Sequence, residues 1–143
     1  LETAKALAIS EQEVFLSPML AEFRAKLDCK RAILWEGTVA EFYAAGATEE
    51  RTGYWSADFF KALTTHYGLT REQAVYFSTH EEADLKEHDG GIMGHGSFRR
   101  MVLQRLLEDG MAEARPGYSL EYCGTAAVDL HGVILQAALN AAG

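Results

Sequence analysis

Proline and cysteine are scarce in this chain, which has two of each in 143 residues. Pro18 and Pro116 are the only prolines, and no alternating apolar and polar run is long enough to demand a strand. A sheet-based architecture is thereby disfavoured, and an all-α fold is expected. Cys29 and Cys123 lie far apart and form no CxxC pair, which excludes a disulfide framework and a thiolate metal cluster. A reducing, cytoplasmic setting follows as the expectation. No apolar run approaches the ~20 residues of a membrane span, and no basic segment leads into an apolar stretch as in a secretory signal. Basic residues are also in deficit, 13 against 21 acidic, for a net charge of −8. Nucleic acid and anionic membrane reward clustered Lys and Arg, so neither is expected as a partner.

The remaining composition, 48% hydrophobic and 24% charged, is that of a chain able to build a core rather than of a disordered one. A chain of this length buries roughly two thirds of its unfolded surface, and residues 1–143 are expected to form a single helical domain. Helix punctuation is abundant. Ser10 and Glu13 form an S-x-x-E box, and Ser17-Pro18 reads as an N-cap with proline at the first helical position. Apolar residues at helical spacing then run from Leu20 to about Ala47, with breaks expected at Gly37 and Gly46. Trp55, Phe59, Leu63 and Tyr67 predict a helix over about 48–67, stopped by Gly68. Thr70 and Gln73 make a T-x-x-Q box that opens a helix to about His88. A glycine-rich connector, Gly90 to Gly96, leads to Ser97 as the next N-cap. That helix ends near Gly110, and Ser119 starts the last one, to about Ala142. Short connections between such elements predict a helical bundle.

Chemistry concentrates on the helix expected over 71–88. On a wheel at 100° per residue, Gln73, Ala74, His80, Glu81, Asp84 and His88 all fall within about 60° of Phe77. The stripe facing the core thus carries His80, Asp84 and His88 at i, i+4 and i+8. Steps of four bring neighbouring side chains to about 5–6 Å at Cβ. Burying two imidazoles and a carboxylate costs several kcal/mol unless each is paired or metal-bound. Nitrogen and oxygen donors without thiolate suit iron, manganese or zinc. The bland alternative is a satisfied structural row on a partly solvated acidic face. A helical-bundle metal site also needs a carboxylate from another helix, and Glu36, Glu41, Glu49 and Glu50 are the candidates.

Other signals are weaker. Gly94-His95-Gly96 follows no strand and lacks a third glycine, so it reads as a flexible connector. Cys123 and His131 stand two turns apart on one helix, which disfavours a Cys–His pair and favours core packing of the thiol. Arg99, Arg100 and Arg105 read as charge balance for the acidic helix.

Three stretches carry a resemblance: Thr48-Glu49-Glu50-Arg51, His66-Tyr67-Gly68-Leu69, and Tyr76 through His88 with its Y-F-x-x-H-x-x-x-D core. Together they resemble the second half of haem-oxygenase-like proteins. Within that superfamily they are most similar to the iron-containing diiron oxidases, relatives of the TenA thiaminases and of pyrroloquinoline-quinone synthase. The resemblance covers about positions 18–110, and the last helix loosely. It implies a haem-oxygenase-like helical bundle in which His80, Asp84 and His88 ligate iron, together with Glu49 or its neighbour Glu50. The D-x-x-x-H spacing here is one residue longer than the D-x-x-H of many members. The family's earlier Glu and His would fall before Leu1, and no histidine precedes His66. The chain, which opens Leu1-Glu2-Thr3, is therefore expected to be the C-terminal part of a longer domain lacking its first helices.

The function so implied is that of a non-haem iron oxidase or oxygenase. It would hold two iron ions in the complete site and act on a small organic substrate with dioxygen, as a homodimer. A metal-free TenA-like or pyrroloquinoline-quinone-synthase-like enzyme of cofactor metabolism is the first alternative. A non-catalytic helical interaction domain is the second.

Overall fold

The computed structural model describes residues 2–86 and 93–142, and every regular element among them is an α-helix. In chain order these are α1 (Glu2–Ala6), α2 (Glu11–Leu16), α3 (Ala21–Glu36) and α4 (Val39–Ala45), followed by α5 (Ala47–His66), α6 (Val75–Leu85), α7 (His95–Glu108) and α8 (Leu120–Ala142). The all-α expectation is met. No helix among the described residues is long and apolar enough to cross a membrane. The chain divides into two compact units, Leu1–Pro18 with Glu50–His95, and Met19–Glu49 with Gly96–Gly143. The division falls within α5 and at the first residue of α7.

In the first unit, α1 packs against α2 and α6. Leu63, Leu69 and Ala74 form its buried core, flanked by Ala6, Phe60 and Phe77. Phe59 stacks on Phe77 with ring centroids 5.5 Å apart, and Trp55 meets both edge-on. Such pairs are worth about 0.5–1.5 kcal/mol each beyond the area they bury. The Ser10–Glu13 capping box closes as expected at the start of α2. Gly68, at φ +67°, ends α5 as expected, with the Leu69 N–H returning to the Leu63 carbonyl at 3.2 Å.

Three local expectations need correction. Ser17 does not cap α3; its hydroxyl donates back to the Glu13 carbonyl, which makes it the end of α2. The Thr70–Gln73 box does form, with the Thr70 N–H on Gln73 Oε1 at 2.8 Å, but it closes a turn and α6 begins only at Val75. The helix also stops at Leu85, with Lys86 extended at ψ 136°. On α5 the buried stripe runs through Gly53, Ser56 and Leu63, while Phe59 and Tyr67 stay exposed. The missing side chain at Gly53 lets the α5 backbone approach Asp84 and Leu85 of α6 closely.

In the second unit, α3 and α4 pack against α8 and against each other. The chain breaks at Gly37, as expected, and restarts through a reciprocal box of Thr38 and Glu41. Glu41 is fully buried. It accepts from the Arg115 backbone N–H at 2.6 Å and from Arg115 Nε at 2.8 Å. Ser119 caps α8 by accepting the Tyr122 N–H at 3.0 Å, as expected. Cys123 is buried in this core, and burial, with Glu41 nearby, pushes its thiol pKa up, the opposite of what a nucleophile needs.

Candidate metal centre

Asp84 is the chemical focus of the first unit. Its carboxylate is wholly removed from solvent, yet no Lys or Arg is paired with it among the described residues of that unit. Each oxygen instead meets an imidazole. Oδ2 accepts from His80 Nδ1 at 3.0 Å, and Oδ1 accepts from His95 Nδ1 at 3.0 Å. His80 reaches Asp84 because both stand on one face of α6, one turn apart. Its ring packs on Tyr76, with centroids 4.5 Å apart, which fixes its tilt. The His80 side chain is 34% exposed and that of His95 is 61% exposed. The cluster is therefore buried at its carboxylate and open at its imidazoles.

Two glycines make this burial possible. A Cβ at Gly53 would lie 2.5 Å from Leu85 Cγ and 3.1 Å from Asp84 Cβ, so α5 presses directly on the carboxylate's stem. A Cβ at Gly94 would lie 2.9 Å from the Asp84 carbonyl oxygen and 3.1 Å from that of Lys86. Gly94 thus lets the returning chain fold onto the end of α6. That contact starts α7 at His95, two residues before the expected cap at Ser97. Ser56, three residues beyond Gly53 on the same face of α5, is buried, and its hydroxyl has no hydrogen-bond partner among the described residues.

The residues expected to ligate metal fare differently. His80 and Asp84 are brought together as the i, i+4 spacing implies. His88 lies outside the described residues. Glu49 belongs to the second unit, where its carboxylate stands 3.7 Å from Arg99 Nη2. There it lines a cavity of about 140 Å³ with Ile33, Leu34 and Phe42, the last carrying the Arg99 guanidinium 4.7 Å above its ring. Glu50 follows it in α5 and is half-buried. Of the other candidate carboxylates, Glu41 is consumed by Thr38 and Arg115, and Glu36 is exposed with Arg115 Nη1 3.5 Å away.

His95 is the member that sequence reasoning missed. Its position in a glycine-rich connector read as flexibility, whereas the glycine before it is what seats it. The only usable signal was a lone histidine between two glycines directly ahead of a helix.

By donor type, each His–Asp pair is one that a transition-metal ion can use. Two imidazole nitrogens and a carboxylate are the ligand types that non-haem iron, manganese and zinc share. Ligand atoms held about 2.0–2.2 Å from one ion stand roughly 3 Å apart, and each His–Asp separation taken by itself has that length, but the donor atoms of His80, Asp84 and His95 are not all within 4.8 Å of one another. Compared with family models, with curated protein sequences and with solved structures, the chain gives no match.

Proposed function

We propose that this chain carries the metal centre of a non-haem iron oxidase or oxygenase acting on a small organic substrate, as part of a haem-oxygenase-like, diiron-type enzyme. The observation that supports the reading is the solvent-free Asp84 carboxylate, with an imidazole on each oxygen and no Lys or Arg paired with it among the described residues of its unit. A buried carboxylate held by a formal cation would be an ordinary structural pair. One held by two partly open histidines is a ligand set with room on its outer side.

In this reading Asp84 is the central ligand, with His80 at one oxygen and His95 at the other, and Glu49 and His88 are the further ligands that the resemblance assigns. Iron bound there would supply dioxygen activation. The chain's own contributions are positional. Without the ion, Asp84 fixes the ring planes of both histidines through Nδ1, and Gly53 and Gly94 shield the carboxylate from water. Tyr76 limits the swing of His80.

Anaerobic loading with ferrous iron, desalting and elemental analysis test the proposal. Wild type should retain iron and consume dioxygen when air is admitted, whereas Asp84→Asn should retain little. Wild type emerging iron-free after loading sinks it, and the His–Asp–His row is then a structural network.

A further inference from the structure

A buried histidine lies in the other unit, in unusual company. His131, on α8, is buried, and its Nδ1 stands 3.1 Å from Nζ of Lys26 on α3. Two groups that are commonly cations here share one hydrogen. While Lys26 is an ammonium it has only donors, and in that form it donates to an Nδ1 lone pair. The pair therefore presents a base directly on the amine's own proton. Lys26 is half-buried. Burial, with Lys30 one turn away on the same helix, pushes the Lys26 ammonium down to about 8. Near neutral pH its reactive, unprotonated fraction is then on the order of a hundredfold that of an ordinary lysine.

We propose that Lys26 is an acyl-acceptor site for small thioesters, with His131 as the acceptor of its proton. The Nζ lone pair attacks the thioester carbonyl carbon, the C–N bond forms, and the C–S bond breaks as the thiolate leaves with its electrons. The proton shed by the amine passes to His131 Nδ1 and from there to the thiolate or to water. The products are an amide on Lys26 and a free thiol, with no oxidant or further reactant required. The site is independent of the metal reading, sharing no residue with it.

The test exposes the whole chain to S-acetyl-N-acetylcysteamine at pH 7.5 and follows acetyl occupancy at each lysine by peptide mass spectrometry. Lys26 should be acetylated about tenfold faster than Lys61 or Lys86, a smaller advantage than its neutral fraction alone because a less basic amine is a weaker nucleophile. His131→Gln keeps a hydrogen-bond acceptor but cannot take the proton, so it should slow Lys26 several-fold and leave Lys61 unchanged. Should that variant fail to fold by circular dichroism, Lys30→Gln, at an exposed position, replaces it. Removing the neighbouring charge should also slow Lys26 selectively. A Lys26 rate equal to that of Lys61 and Lys86 overturns the proposal, as does a folded variant of either kind that leaves the Lys26 rate untouched.

Discussion

Two carboxylates are buried among the described residues, and their partners separate a structural role from a chemical one. Glu41 faces an arginine and two backbone N–H groups, so its charge is met in place. Asp84 faces two imidazoles whose charge depends on protonation. Removing the Glu41 charge should therefore be costly in its own right. Glu41→Gln leaves the Arg115 guanidinium, which is only 18% exposed, short of its buried counter-charge. A loss of about 3–5 kcal/mol is expected, measurable as a fall in the urea midpoint at unchanged slope. A loss below about 1 kcal/mol would show that the pair is solvated in practice. The same comparison explains why sequence ranked these residues poorly. Glu41 and Glu49 look alike on paper, and only the arrival of Arg115 from far along the chain tells them apart.

At the scale of the element, what was legible was whatever local backbone chemistry decides. The Ser10–Glu13 box, the break at Gly37, the stop at Gly68 and the cap at Ser119 each depend on residues within a turn of one another. The sequence stated them all. Illegible were the features set by one element resting on another. Gly94 could not be read as a close-approach residue before the end of α6 was known to lie beneath it. Gly53 likewise could not be read as the point where α5 closes on Asp84 and Leu85 of α6. Gly94→Ala would drive a methyl group into two backbone carbonyls that cannot move aside, displacing the start of α7. Overpacking of that kind costs about 1–3 kcal/mol. It should also detach His95 from Asp84, seen by NMR as a change in the His95 imidazole nitrogen shifts. Retention of both stability and those shifts would refute the seating role given to Gly94.

At the scale of the whole molecule, a net charge of −8 sets the condition for any metal experiment. An acidic surface gathers divalent cations without any built site, and screening alone raises the stability of a self-repelling chain. An iron-induced rise in melting temperature is therefore ambiguous by itself. The discriminating comparison uses ferrous iron and magnesium at equal concentration, on wild type and on Asp84→Ala. Magnesium prefers all-oxygen, water-rich coordination and has little use for imidazole, so it reports the surface term and should move both proteins equally. Iron adds the specific term, which follows RT ln(1 + [L]/Kd) and reaches about 2.7 kcal/mol at a hundredfold excess over Kd. For a two-state chain of this size that corresponds to a rise on the order of 9 °C. Wild type should show this extra rise over magnesium, and Asp84→Ala should show none. The mutant's own melting point carries the rest of the argument. If Asp84 is a ligand whose desolvation strains the metal-free protein, its removal leaves the metal-free midpoint nearly unchanged. If Asp84 is the structural anchor of two histidines, its removal lowers that midpoint by the equivalent of ~1–3 kcal/mol whether or not iron is present. Equal shifts from iron and magnesium, with a destabilised mutant, would assign the row to structure and end the iron reading for this chain.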